Sequence, residues 1–183
     1  FGNEGSHTHE HGMRARKAVQ EARDQIGKIL NVTRNEIIFT SGATESNNLA
    51  ILGLKEFGLK NKKKHIISSV IEHKAVLEPL EELKKEGFEI DLIPCEKDGR
   101  IDYNKIIKKV RSDTLLVSLM HVNNETGIKQ PIQELCEDLK DKDCFLHVDA
   151  AQGFGKDIET LRNKRIDLIS ISGHKIYGPK GIG

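Results

Sequence analysis

The sequence predicts an α/β fold of three layers, αβα, in which a mainly parallel sheet lies between two layers of helices. Short β-branched runs alternate with amphipathic stretches along the chain, and this alternation is typical of βαβ units. The predicted strands are continuous apolar runs, as expected for strands buried on both faces. The chain has 183 residues, an apolar fraction of 37% and 16 glycines, which suits one folded domain and argues against disorder.

Each element has its own signal. Apolar residues from Ala15 to Ile29 recur at spacings of three and four, which predicts a helix over roughly 10–30 capped by Thr8 or a residue beside it. The β-branched and aromatic run 37–40 predicts a buried strand, and a helix is expected over about 45–60. The later elements are predicted as strand 65–70, helix 74–85, strand 89–93, helix 102–110, strand 114–120, helix 132–139, strand 145–148 and strand 167–172.

The composition indicates that the function depends on a local site and not on a broad charged surface. Lys and Arg number 29 against 28 Asp and Glu, so the broad basic surface of a nucleic-acid or membrane-binding protein is missing. The three cysteines, Cys95, Cys136 and Cys144, are odd in number and lack C-x-x-C spacing, which argues against a disulfide framework or a zinc ribbon. We therefore expect a cytoplasmic protein. The chain opens without Met and stops in a glycine-rich run, so we expect a piece of a longer protein.

Ligands of open α/β sheets bind beyond the carboxyl ends of the strands, so the residues that follow each strand matter most. The run Ser41-Gly42-Ala43-Thr44-Glu45 follows the first predicted strand and opens a helix. Its small residues and free backbone N–H groups suit a phosphate. The alternative is an ordinary capping box, in which Ser41 or Thr44 satisfies the helix donors.

Three further strand ends are polar. His73 follows strand 65–70 and Asn124 follows strand 114–120, although each alone is as well explained by a structural histidine or a turn. Asp149 stands at the tip of an apolar strand, with Gln152 three positions later. A buried carboxylate is costly unless a partner keeps it charged, and a protonated ring nitrogen is one such partner.

The last strand end has the most informative motif, Ser172-Gly173-His174-Lys175, before a Gly/Pro loop. Most lysines are ordinary surface residues. Here Ser172 and His174 can donate to an anion, and a partly desolvated Lys175 would be a nucleophilic amine, as Schiff-base chemistry requires. Taken together, the strand ends offer a phosphate cradle, a ring to stack, an acid and a lysine, which are the parts of a pyridoxal phosphate site.

Several strings also resemble a known family in their order and spacing: FTSGATESNNLAI, EHKAVLEPLE, LVSLMHVNNETG, LHVDAAQGFGK and SGHKIYGPKGIG. They resemble the class V aminotransferase group of fold-type I pyridoxal phosphate enzymes, and specifically cysteine desulfurases. The stretches GNEGSHTHEHG and PLEELKKEGFEI look most like the desulfurase of DNA phosphorothioation systems. The resemblance implies that residues 1–183 are the aspartate aminotransferase-like large domain, truncated at both ends, and that the small C-terminal domain is missing.

The resemblance also implies residue roles. Lys175 would hold pyridoxal 5'-phosphate as a Schiff base and move the substrate proton, and His73 would stack on the pyridine ring and assist acid–base steps. Asp149 would pair with the pyridinium nitrogen, Gln152 would bind the phenolic oxygen, and Asn124 would lie near the substrate carboxylate. The phosphate would be bound by Ala43, Thr44, Ser172 and His174.

The reaction implied is the removal of sulfur from L-cysteine, which gives L-alanine and an enzyme persulfide. The sulfur would pass to an acceptor protein, for iron–sulfur cluster assembly or DNA phosphorothioation, and the enzyme would be a homodimer. None of the three cysteines matches the family's nucleophile, so this chain alone should be inactive. The alternatives that share the cofactor are a selenocysteine lyase and another class V aminotransferase or lyase.

Two readings without this cofactor are less well supported. His7, His9 and His11 alternate as metal ligands on a strand would, but no carboxylate or cysteine is suitably spaced. The glycine-rich run 178–183 neither opens a helix after the first strand of a unit nor contains Gly-Lys-Ser/Thr, so it fits no nucleotide-binding motif. We therefore expect no metal, and no direct contact with nucleic acid or membrane.

Overall fold

The computed structural model describes residues 2–6 and 9–183, and the chain divides into two compact units, Phe1–Phe39 and Thr40–Gly183. The first unit holds helix α1 (Glu10–Leu30) and a 3₁₀ turn, Arg34–Glu36. His9 caps α1, because its ring Nδ1 accepts a hydrogen bond of 3.0 Å from the amide of Gly12. The cap is thus a residue beside Thr8, while Thr8 and His7 lie outside the described residues.

The second unit alternates helices and strands. It contains α2 (Ala43–Leu52), α3 (Lys55–Lys60), β1 (His65–Ser69), α4 (Lys74–Lys85), β2 (Glu89–Ile93), α5 (Tyr103–Lys109), β3 (Thr114–Met120), α6 (Ile132–Asp138), β4 (Phe145–Asp149), α7 (Ile158–Leu161), β5 (Leu168–Ser170) and the 3₁₀ helix Gly173–Ile176. No helix of the described ranges is long and apolar enough to cross a membrane.

The five strands form one sheet in the order β2-β1-β3-β4-β5, and all four strand pairs are parallel. All seven residues of β3 are buried. Because successive side chains of a strand point to opposite faces, burial of every residue requires cover on both faces. Helix α2 packs against α4, and α5 packs against α6. The predicted parallel α/β fold is therefore confirmed.

The expected strand over 37–40 is wrong. The structure gives this segment no strand, although Ile37 has extended backbone angles. Thr40 exchanges two backbone hydrogen bonds of 2.9 Å with Gly183. A strand requires a ladder of such pairs, and β-branched composition supplies the extended backbone without supplying the partner.

The expected helix over 45–60 is two helices, α2 and α3, separated at Gly53 and Leu54. Gly53 keeps right-handed helical backbone angles, and the break falls beside it because glycine is about 1 kcal/mol less favourable than alanine inside a helix. The last strand is shorter than predicted, because Ser172 already precedes a 3₁₀ helix. Helix α7 has four residues, too few to show a helical period in the sequence.

Candidate functional site

The carboxyl ends of β1, β3, β4 and β5 meet the start of α2 around a cavity of about 570 Å³. Parallel strands end at the same edge of a sheet, which is why residues far apart in sequence gather here. All nine residues predicted for the site line this cavity, namely Ala43, Thr44, His73, Asn124, Asp149, Gln152, Ser172, His174 and Lys175.

The start of α2 leaves its backbone donors available. Gly42 precedes the helix, and no side chain caps it. Ser41 instead directs its own amide and hydroxyl to the carboxylate of Glu45, both at 2.6 Å. The simple capping alternative is therefore not formed, and within the described residues the amides of Ala43 and Thr44 have no acceptor. Such free amides at a helix N-terminus suit an anion.

Asp149 ends β4 with its carboxylate held from two sides. The side chain is buried, Oδ2 accepts from Nδ2 of Asn47 at 2.8 Å, and Oδ1 accepts from the amide of Ala151 at 3.0 Å. Two donors compensate a buried carboxylate for its lost hydration. Sequence reasoning missed Asn47. The sequence offered no signal for it, because Asn47 stands among other polar residues in the first half of α2.

His73 stands at the N-cap of α4, where its ring Nδ1 accepts from the amide of Ala75 at 3.1 Å. This bond places the ring proton of the neutral imidazole on Nε2. The ring is exposed at the cavity wall, so Nε2 can exchange a proton with a ligand. His174 and Ser172 also line the cavity, and Nδ1 of His174 lies 3.0 Å from the hydroxyl of Ser172.

Lys175 lies in the 3₁₀ helix that follows β5. Its side chain is exposed in this chain, so the expectation of partial desolvation is wrong here. The physical reason is thin cover: the neighbouring residues 177–181 are themselves exposed. Within the described part of the chain the amine makes no hydrogen bond or ion pair.

The loop after β3 presents Asn124. Asn123 is buried, and its Oδ1 accepts from the amides of Glu125 and Thr126 at 3.0 and 2.9 Å. This is an Asx turn, which fixes the backbone through a side chain. Asn124 is exposed and lines the cavity. Asn123 thus forms the turn, and the adjacent Asn124 is available for contact with a ligand.

The turn that carries Gln152 rests on a buried histidine. A Cβ added at Gly153 would lie 2.0 Å from Nδ1 of His121. His121 itself is fixed, since its Nε2 lies 3.1 Å from Oδ2 of Asp157 and its amide donates to the carbonyl of Asp149 at 2.8 Å. Only glycine allows this close approach.

We expect Gly153→Ala to lower the free energy of unfolding by about 1–3 kcal/mol, the usual effect of overpacking a buried site. The methyl group would have to push the His121 ring away from the turn. Urea unfolding measures the effect, with Lys156→Ala, an exposed position of the same loop, as control. Equal stability of the Gly153 variant and the parent would contradict the close packing.

A second buried histidine, His147, lies two residues before Asp149 on β4. Its ring nitrogens lie 2.8 Å from the hydroxyl of Ser118 and 2.9 Å from that of Ser170, which joins three strands. Burial lowers the pKa of His147 to about 4, although the nearby Asp149 opposes the shift. The imidazole is therefore neutral at pH 7.

We expect His147 to make the fold acid-sensitive. As the pH falls from about 6.5 to about 4, the unfolded chain binds a proton on this residue and the folded chain does not, so the free energy of unfolding falls over that window. Urea unfolding at several pH values measures this slope. The difference between the parent and His147→Gln isolates this histidine from the other groups, and a difference independent of pH would contradict its neutral burial.

Among the described residues, one cluster of possible metal ligands went unpredicted, formed by His65, Glu89 and Asp91. Its carboxylates already have cationic partners. Asp91 accepts from Lys109 at 3.0 Å and Glu89 accepts from Arg111 at 2.9 Å. The group is thus a set of ion pairs at the opposite, amino ends of β1 and β2.

The fold and the site define an α/β protein with a lysine-containing cavity at the carboxyl edge of a parallel sheet. The profile of the aminotransferase class-V family matches residues 1–183. The chain belongs to this family, as its motifs indicated.

The relatives agree in their names. Over 183 residues the chain is 50% identical to the cysteine desulfurase IscS of Vibrio cholerae and covers 45% of it. It is 48% identical to the probable mitochondrial cysteine desulfurase of Schizosaccharomyces pombe and covers 36% of it. The chain thus spans less than half the length of these curated relatives.

Solved structures give the same picture. DndA from Streptomyces lividans is 54% identical, with a TM-score of 0.93, and the match covers 100% of this chain and 51% of DndA. SspA, solved in complex with cysteine, is 41% identical with a TM-score of 0.90, and the match covers 100% of this chain and 52% of SspA. The resemblance to cysteine desulfurases is confirmed.

Proposed function

We propose that the protein carrying this chain is a pyridoxal phosphate-dependent cysteine desulfurase, which takes sulfur from L-cysteine and leaves L-alanine and an enzyme persulfide. One observation carries the proposal: a buried, doubly hydrogen-bonded Asp149 and the unpaired amine of Lys175 line one cavity. The names of the relatives support it, as does a similar structure described as a complex with cysteine.

The residues present fit this cofactor. Free amides at Ala43 and Thr44 can receive its phosphate, together with the hydroxyl and ring N–H groups of Ser172 and His174. The charged Asp149 matches a protonated ring nitrogen, and Lys175 is an amine that can condense with an aldehyde. When bound, the cofactor supplies an electron sink for bond breaking at the substrate's α-carbon.

Each of the chain's own cavity residues would then have a separate role. Lys175 attaches the cofactor and afterwards moves the substrate's α-proton. His73 has Nδ1 engaged by Ala75, so its proton exchange takes place at Nε2 on the cavity side. Asp149 keeps the ring nitrogen protonated. Gln152 would hydrogen-bond the phenolic oxygen of the cofactor, and Asn124 would lie near the carboxylate of the substrate.

The sulfur-accepting thiol is proposed to lie outside this chain. In the described ranges no cysteine lines the cavity. Burial raises the pKa of Cys136 to about 11 and also raises that of Cys144, and a protonated thiol is a poor nucleophile. The small C-terminal domain, a homodimer, a cytoplasmic location and a sulfur-acceptor protein belong to the same proposal, with iron–sulfur clusters or phosphorothioated DNA as destinations.

The direct test is incubation of the full-length protein with pyridoxal phosphate and L-cysteine. We expect alanine and enzyme-bound persulfide in equal amounts, measured by chromatography and thiol labelling. L-Selenocysteine in a parallel reaction separates the desulfurase from the lyase alternative. Absence of alanine in a protein that holds the cofactor would overturn the proposed function.

A further inference from the structure

A buried glutamate that the mechanism does not use lies beside the cavity. Glu72 comes between β1 and α4 and is 6% exposed. Its Oε1 accepts two hydrogen bonds, from the hydroxyl of Ser69 at 2.7 Å and from the amide of Met120 at 2.9 Å. Its Oε2 is buried and has no partner within the described residues.

This asymmetry distinguishes a carboxylic acid from a carboxylate. Ionisation would put half of a negative charge on the bare, buried Oε2, and no donor would compensate its lost hydration. A protonated acid instead uses Oε1 as a carbonyl acceptor and carries its proton on Oε2. Burial acts in the same direction and raises the pKa of Glu72 to about 8, with the nearby Asp149 adding to the rise.

The two buried carboxyl groups, Glu72 and Asp149, therefore differ in the number of oxygens that accept a hydrogen bond. Asp149 has a donor on each oxygen, and Glu72 has donors on one oxygen only. Ionisation of Glu72 is therefore the less well compensated, and the neighbouring carboxyl of Asp149 raises the pKa of Glu72 further. Among the other groups near Asp149, His147 is neutral at pH 7, since burial lowers its pKa to about 4.

We propose that Glu72 is a positioning residue that stays protonated, ties the end of β1 to the end of β3, and adds no negative charge beside Asp149. The tie determines how the chain leaves β1, and the next residue is His73, which caps α4. Met120, at the other end of the tie, lines the cavity. The link to Asp149 deepens the proposed function and rests on it.

Infrared spectroscopy of the full-length protein without added cofactor tests the protonation directly. We expect a carboxylic acid carbonyl band at pH 7 that is lost in Glu72→Gln and retained in Glu78→Gln, an exposed glutamate on α4. A spectrum unchanged in Glu72→Gln would overturn the proposal. This readout does not involve the cofactor, so it stands or fails independently of the desulfurase assignment.

Thermal unfolding gives a second readout with a defined sign. Holding the proton on Glu72 becomes less favourable as the pH rises from about 4.5 to about 8. Glu72→Gln needs no proton at this position. As the pH rises over this window, its melting temperature should therefore increase relative to that of the parent. The difference between Glu78→Gln and the parent should not change with pH. A constant difference for Glu72→Gln would contradict the proposal.

Rescue by the conservative variant tests the positioning role. Gln keeps an acceptor for Ser69 and Met120, whereas Glu72→Ala leaves the buried amide of Met120 unpaired. We expect kcat of the cofactor-loaded glutamine variant to exceed that of the alanine variant by at least roughly tenfold, since small misplacements of reacting groups are costly. Equal kcat values for the two variants would remove the positioning role.

Discussion

Lys175→Ala in the full-length protein should abolish the borohydride-reducible adduct with pyridoxal phosphate. Cysteine turnover should fall by at least about 10²–10⁴-fold, because in the proposed function the same amine both holds the cofactor and transfers a proton. Reduction with borohydride, peptide mapping of the labelled lysine and alanine release measure the two effects. In the parent protein the label should fall on Lys175.

The cavity provides a matched control for this experiment. Lys180 also lines it, so Lys180→Ala removes a second amine from the same wall. We expect the adduct to persist in that variant. A label that moved to another lysine, or turnover that survived in Lys175→Ala, would refute the assignment of the Schiff-base lysine.

Asp149→Asn should have the next largest effect on the reaction. The amide is nearly isosteric, and it retains an acceptor for Asn47 or for the amide of Ala151. In the proposed function it removes the carboxylate that would keep the ring nitrogen protonated, and loss of one such electrostatic interaction typically reduces kcat by about 10²–10³-fold. Much of the cofactor binding should remain.

Two measurements, the absorbance of the bound cofactor and the rate of alanine release, distinguish the loss of the carboxylate charge from a loss of folded protein in this test. The spectrum of Asp149→Asn should shift as the ring nitrogen loses its proton. Asp138→Asn, an exposed position on α6, serves as control for a lost carboxylate. Parent-like turnover in Asp149→Asn would exclude this residue from the role.

The strand ends were predictable because their signals are local. Each of His73, Asp149 and Lys175 follows its own apolar run by at most a few positions, and the rule for parallel sheets places them together. Composition alone cannot show whether an apolar run has a neighbouring strand to pair with. For this reason the prediction of a strand at 37–40 was wrong.

The contacts that hold the cavity residues in place could not be predicted from the sequence. Asn47 and Asp149 are 102 positions apart, and Glu72 and the amide of Met120 are 48 positions apart. No spacing rule connects residues so distant, and a backbone amide has no side-chain identity to reveal its partner. The residues that line the cavity were thus predicted, and the groups that hold them in place were not.

Helix α2 serves two ends of the cavity at once. Ala43 and Thr44, at its start, are the proposed phosphate-binding residues, and its Asn47 donates to the carboxylate of Asp149. Four residues of helix rise by about 6 Å, and this distance cannot stretch. In the proposed function, a ligand would contact both groups only if its anionic group and its basic nitrogen are separated by the matching length. The helix would therefore make the site selective for the length of the ligand.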